Sequence, residues 1–268
     1  MTRVAVVQLC EQLWERVGEI EAFPRNLEGL YIWALPIARV VLPALWADDV
    51  QRWLEQHVLE GSVGPQRRLH ACLIAREGRG FVLIDGSDPP EEQRLSLAHE
   101  AGHFLLDYDR PRQQVGATLG PTALPLLDGS RAPSQQERVL AVLNGFALQP
   151  HIHLMERDGD GLTCGAVAGA ECAADELALE LLAPEAVVLA MLPAVTAGAP
   201  FATRVGSVET LLRRQFGLPR RIAAPYARRL LRLRSSGPDT AEWLGLHHPL
   251  PGLGEGRGEG RRSLPGGG

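Results

Sequence analysis

The segment that most constrains this 268-residue chain is His-Glu-Ala-Gly-His at residues 99–103. It lies within a stretch whose apolar spacing predicts one helix over about residues 89–108. Residues four apart on a helix share a face and lie about 5–6 Å apart. The imidazoles of His99 and His103 can therefore converge on one metal ion, while Glu100 can reach a water molecule beside it.

A catalytic zinc site needs a third protein ligand and one open position. The best candidate is Glu171, which opens a predicted helix over about residues 171–182. Asp175 lies four residues further on the same face and can accept the second N–H of a ligating histidine. Taken alone, this acidic spacing is more typical of a solvated helix face. Other acidic candidates for the third ligand are Asp107, Asp109, Glu176 and Glu180.

Two further questions stay open at the level of the sequence. A separate structural zinc site is an alternative, although the spacing of its residues matches no standard zinc finger; they are His151, His153, Cys164 and Cys172. The residue that would stabilise an oxyanion is not singled out among four candidates, which are Tyr108, His151, His153 and Tyr226.

The rest of the chain predicts a mixture of helices and one hairpin. Apolar periods and glycine or proline breaks predict helices over residues 4–17, 48–61, 134–146 and 208–233, with an interruption at 217–219. Two apolar runs joined by a glycine-containing loop predict a β-hairpin over 69–85. Asp88 is the predicted N-cap of the motif helix, and Pro111 is expected to end that helix before a loop over 110–133.

Composition and charge argue against several classes of protein. The formal net charge of -5 argues against a dedicated nucleic-acid binder. The apolar stretch 30–47 contains two prolines, so it predicts a buried helix or a strand pair rather than a membrane span. The four cysteines follow no CxxC spacing and the N-terminus has no signal-peptide order, so we expect a reduced, cytoplasmic protein.

Residues 94–106, Arg-Leu-Ser-Leu-Ala-His-Glu-Ala-Gly-His-Phe-Leu-Leu, resemble the core motif of the ImmA/IrrE-like HExxH zinc metallopeptidases. Residues 171–184, Glu-Cys-Ala-Ala-Asp-Glu-Leu-Ala-Leu-Glu-Leu-Leu-Ala-Pro, resemble the acidic helix of the same family. The resemblance covers about residues 65–190, with a weaker match at 211–231.

The resemblance implies an α+β, zincin-like fold of the gluzincin type that holds one Zn2+ ion. Carried over by position, His99 and His103 would be metal ligands, Glu100 the general base and Glu171 the third ligand. The implied substrate is a protein, commonly a helix-turn-helix repressor. The step of 68 positions from His103 to Glu171 implies an insertion over about 110–168.

The domain organisation that follows has four segments. We expect an N-terminal helical segment, a metallopeptidase domain, a C-terminal helical segment and a disordered tail, over residues 1–64, 65–190, 191–236 and 237–268. No membrane contact is expected, and direct nucleic-acid binding is disfavoured.

The alternative function is a non-cleaving, zinc-containing regulator that binds a transcription factor or DNA through its C-terminal helices. Eight arginines crowd this region, which is usually the mark of a solvated helix face. They are Arg213, Arg214, Arg220, Arg221, Arg228, Arg229, Arg232 and Arg234.

Overall fold

The structure is a computed structural model of the chain. It describes residues 2–18, 22–57, 59, 61–127, 131, 132, 134, 135, 138, 151–157, 166–192 and 200–234. The predicted helix 134–146 and tail 237–268 therefore lie outside the described residues, except for three isolated positions of the helix.

The described part of the chain is a mixed α+β structure. Its strands are β1 (Ile37–Leu42), β2 (Leu69–Arg76), β3 (Arg79–Asp85) and β4 (His151–Glu156). Its α-helices are α1 (Arg3–Val17), α2 (Ala47–Gln56), α3 (Pro90–His103), α4 (Arg110–Leu119), α5 (Leu124–Leu127), α6 (Ala166–Leu182), α7 (Glu185–Met191), α8 (Phe201–Arg214) and α9 (Arg220–Arg234). Two π-helical segments, Leu30–Ala34 and Phe104–Asp109, and a short 3-10 turn, Pro121–Ala123, complete the set.

The four strands form one sheet in the order β1-β3-β2-β4. β2 and β3 are the predicted hairpin, and their turn uses positive φ angles at Glu77 and Gly78, as a tight two-residue hairpin turn requires. β1 pairs in parallel with β3, and β4 pairs antiparallel with β2. The predicted N-terminal helical segment therefore also supplies an edge strand of the sheet.

Each face of the sheet is covered by its own apolar core. The larger core joins side chains of α1, β2, β3, α3, α6, α8 and α9, so the three predicted segments up to residue 234 share it. The smaller core places Val50 and Leu54 of α2 against the opposite face, where Cys72, Ile74 and Leu83 point. None of the helices within the described residues is long and apolar enough to cross a membrane.

Two predictions near the motif helix are wrong. The chain stays helical through the π-helical segment 104–109 into α4, because Pro111 falls in the first turn of α4, where a proline is tolerated. Residues 110–119 are thus a helix rather than a loop. Asp88 does not cap α3, since its carboxylate instead contacts the ring of His70 and the guanidinium of Arg157.

Arg157 fastens the end of β4 to the rest of the sheet. It donates a hydrogen bond to Asp85 Oδ2 at 2.8 Å and another to the carboxylate of Asp88. Asp85 is fully buried at the end of β3. Burial alone would raise the pKa of this carboxyl group, but hydrogen bonds from Ser87 and Arg157 hold it well below its usual range.

Helices α3 and α6 approach each other closely at Gly102. A Cβ atom at this position would lie 2.9 Å from the Cα of Ala174 and 3.1 Å from its carbonyl oxygen. Both atoms belong to the backbone of α6, so they cannot turn aside as a flexible side chain would. The glycine inside the HExxH motif therefore sets the distance between the two helices that carry the predicted site residues.

We expect Gly102→Ala to destabilise the fold by about 1–3 kcal/mol and to weaken metal binding, because α6 must move away from α3. Gly169→Ala in α6 is the matched control, since a Cβ atom there meets nothing within 4 Å. It should be neutral or stabilising by up to about 1 kcal/mol. Urea unfolding measures both effects, and equal stability of the two variants would contradict the close contact.

Candidate metal centre

The three motif residues of α3 are buried beneath α6 and β4. The side chains of His99 and His103 are 4% and 2% exposed, and Glu100 is fully buried. The histidine pair is therefore not part of a solvated helix face. Buried polar groups need partners, and each of these three side chains has at least one.

Each motif histidine is oriented by a carboxylate on its outer nitrogen. His99 Nδ1 lies 2.9 Å from Asp175 Oδ1 in α6, and His103 Nδ1 lies 2.6 Å from Asp107 Oδ2, one turn further along the chain. When both Nδ1–H groups donate to these carboxylates, both Nε2 atoms carry lone pairs. This is the usual arrangement behind imidazoles that ligate metals.

The two Nε2 atoms face the same point. They are 3.0 Å apart, and Glu171 places Oε2 at 3.3 Å from His99 Nε2 and Oε1 at 3.7 Å from His103 Nε2. Tetrahedral zinc with bonds of about 2.0–2.1 Å separates its ligand atoms by about 3.3–3.4 Å. Lone pairs of two imidazoles and a carboxylate at these separations suit a cation between them, so the residues present fit a metal ion.

A fourth side chain from β4 joins this group. His153 Nε2 lies 3.0 Å from Glu171 Oε1, and His153 Nδ1 lies 3.0 Å from Glu100 Oε2. One ligand atom from each of four residues lies within 4.8 Å of the other three; the residues are His99, His103, His153 and Glu171. The other oxygen of Glu100, Oε1, is buried and has no hydrogen-bond partner among the described residues.

The carboxylates of the cluster perturb its titrating groups strongly. Burial alone would lower the pKa values of His99 and His153. Hydrogen bonds to Asp175 and Glu171 nevertheless raise the pKa of His99 to about 9, and the charge of Glu100 with its hydrogen bond raises that of His153 to about 10. Hydrogen bonds from His153 and His99 hold the pKa of Glu171 well below its usual range. A metal ion that binds His99 therefore competes with a proton on this ring.

The other candidate ligands lie elsewhere or take other partners. Asp109 binds Gln113, Glu176 lies 3.9 Å from Arg229, and Glu180 pairs with Arg3. Cys172 is an exposed free thiol and Cys164 lies outside the described residues, so the alternative zinc site of histidines and cysteines finds no support in the described part of the chain.

The four candidates for stabilising an oxyanion have different partners in the structure. Tyr226 donates its hydroxyl hydrogen to the carbonyl of Ala183 in the core, and the Tyr108 hydroxyl accepts from the Gly78 N–H. Of the two histidines of β4, only His153 contacts Glu100 and Glu171. The sequence analysis named His153 as a candidate but did not place it beside the HExxH motif. The alternation of residues 151–156 did indicate that His151 and His153 lie on the same face of one strand.

Comparison with known families gives one match. Residues 56–138 match the family model described as the IrrE N-terminal-like domain, a peptidase family. The predicted family resemblance is confirmed. The IrrE-like region contains the β2–β3 hairpin and all three motif residues of α3, and it ends before β4 and Glu171. No curated protein and no solved structure matches the chain.

The IrrE-like match points to a metallopeptidase-like domain with a protein substrate. It says nothing about the arginines of α8 and α9. Three of these pair with acidic side chains: Arg221 with Glu92 at 2.8 Å, Arg220 with Glu209 at 3.6 Å and Arg229 with Glu176 at 3.9 Å. That direct nucleic-acid binding is disfavoured stays a prediction of the sequence, with DNA binding through this surface as part of the alternative function.

We expect the affinity for zinc to rise with pH between 6 and 8. The metal must displace protons from groups such as His99, whose pKa is about 9, and lower pH strengthens the competing protons. The apparent Kd should fall up to about tenfold per pH unit for each proton displaced. Competition with a chromophoric chelator measures the Kd at each pH. His70→Gln is the control, because His70 contacts Asp88 and lies outside the cluster. A Kd that does not change with pH would contradict competition between the metal and protons.

Proposed function

We propose that this protein is a zinc-dependent endopeptidase with a zincin-like, gluzincin-type fold. The supporting observation is the convergence of His99 Nε2, His103 Nε2 and the carboxylate of Glu171 on one point. The peptidase family match over the motif agrees with it. In this proposal residues 65–190 form the catalytic domain, and the chain holds one zinc ion.

His99, His103 and Glu171 would hold the ion, with Asp175 orienting His99. A bound zinc ion supplies a Lewis acid, which polarises the scissile carbonyl and makes a water molecule more acidic. Asp107 has the same relation to His103 that Asp175 has to His99. Each carboxylate keeps its ring in the tautomer that presents Nε2 to the ion.

Glu100 is the general base in this mechanism. Its Oε2 is held by His153 at 3.0 Å, whereas its buried Oε1 is left without a protein partner among the described residues. Oε1 can therefore accept the proton of the attacking water molecule and then pass it to the leaving amine nitrogen. A fully buried carboxylate keeps the transferred proton away from bulk solvent.

The substrate is proposed to be a protein regulator, in particular a helix-turn-helix transcriptional repressor. This part of the proposal rests on the resemblance to the ImmA/IrrE-like peptidases.

We expect Glu100→Gln to retain one zinc ion per chain and to lose peptidase activity by a factor of about 10²–10⁴, because the amide cannot accept the proton. Glu171→Ala should instead lose the metal, because it removes a charged ligand. Metal analysis of the purified variants distinguishes the two effects.

Activity can be measured without knowing the substrate. Zinc-loaded protein and Glu100→Gln are incubated separately with a soluble extract of the source cells, and new protein N-termini are identified by mass spectrometry. New termini within helix-turn-helix proteins that occur only with the unaltered protein would support the proposal. A Glu100→Gln variant that produces the same termini would exclude Glu100 as the base.

A further inference from the structure

His153 reaches the proposed metal site from a part of the chain that neither sequence motif includes. It lies on the edge strand β4, opposite Leu73 of β2. Alternation along the strand directs Met155 into the core beneath α3 and Ile152 and Leu154 into the opposite core. His153 shares the face of Met155, and the IrrE-like match ends before it.

Both nitrogens of the His153 ring are used. Nδ1 lies 3.0 Å from Glu100 Oε2, and Nε2 lies 3.0 Å from Glu171 Oε1. One imidazole thus connects the proposed base to the proposed acidic ligand, two carboxylates that would otherwise repel each other.

The orientation of the ring argues against a role as a metal ligand. Two imidazoles on one tetrahedral zinc ion have ring centres about 5 Å apart, given bonds of about 2.0–2.1 Å. His99 and His103 meet this condition, with ring centres 4.7 Å apart. His103 and His153 do not, because their rings stack at 3.6 Å with an angle of 23° between the planes.

We propose that His153 is a positioning residue, which holds the carboxylates of Glu100 and Glu171 in the orientations that the metal centre needs. Its bond to Glu100 Oε2 leaves Oε1 to handle the proton. Its bond to Glu171 Oε1 leaves Oε2, 3.3 Å from His99 Nε2, to face the ion. This inference rests on the proposed function and assigns part of the site to β4.

Hydrogen bonds at the end of β4 fix the strand that carries His153. Arg157 follows the strand directly and binds Asp85 at the end of β3 and Asp88 ahead of α3. On the same strand Glu156 accepts a hydrogen bond from Arg67 Nε at 2.7 Å. The ring of His153 is therefore carried by a strand that is tied to the start of the motif helix.

Cobalt binding to the full chain, followed by visible absorption, tests the inference. His153→Gln should bind one Co2+ with unchanged band positions, because the ligands remain, and with a Kd about 10–100-fold weaker, because their orientation is lost. His151→Gln makes the same chemical change on the same strand face without removing a bond to either carboxylate, and its Kd should stay within about threefold of the unaltered protein.

A double-mutant cycle separates positioning from mere support of the fold. In a Glu100→Gln background, His153→Gln should weaken Co2+ binding by a factor at least about threefold smaller than in the unaltered protein, because one of the two partners of His153 is already altered. An equal cost in both backgrounds would mean that His153 only stabilises β4. Shifted bands together with a loss of affinity as large as that of His103→Gln would mean that His153 is a ligand.

The remaining outcomes are also decisive. If His153→Gln binds Co2+ as tightly as the unaltered protein, the positioning role is excluded and the proposed function stands. If the unaltered protein binds no Co2+, or binds it equally well after His99→Gln, the metal centre itself is excluded and both proposals fail.

Discussion

The close contact between α3 and α6 is the constraint on which the site depends. Gly102 brings the backbones of the two helices together at Ala174, where a Cβ atom would be 2.9 Å from the neighbouring Cα. At a wider separation neither Glu171 nor Asp175 would reach the imidazoles of the motif. The same residue therefore belongs to the metal motif in the sequence and to the helix packing in the fold.

Charge balance inside the cluster follows from this packing. Burying several carboxylates and imidazoles together is costly unless each has an oppositely charged or hydrogen-bonding partner. Asp175 and Asp107 satisfy the outer nitrogens of the two motif histidines, and His153 satisfies two carboxylates at once. Among the described residues of the cluster, the arrangement leaves the converging Nε2 atoms, one oxygen of Glu171 and Oε1 of Glu100 to be satisfied by a proton, a metal ion or water.

The local elements could be predicted from the sequence, whereas the contribution of β4 could not. Helical period predicted α1, α3 and α6, and the run at 69–85 predicted the hairpin, because these signals depend on near neighbours. The spacing of Glu171 and Asp175 made them candidates, but on its own it was more typical of a solvated helix face, and the family resemblance supplied the link to the motif. The position of His153 depends on which strand pairs at the edge of the sheet. This long-range pairing cannot be predicted from the spacing of residues in one sequence. The prediction that Pro111 ends the motif helix failed for a local reason, because this proline falls in the first turn of α4, where it is tolerated.

The uneven exposure of the cluster has a consequence for the exchange kinetics of a bound ion. The side chains of Asp175 and Glu171 on α6 are 54% and 33% exposed, whereas His99 and His103 on α3 are almost fully enclosed. An ion would therefore enter and leave past the first turns of α6, where Glu171 is the ligand that water or a chelator reaches first. Substitutions on this part of α6 should change the dissociation rate of the ion more than substitutions behind α3.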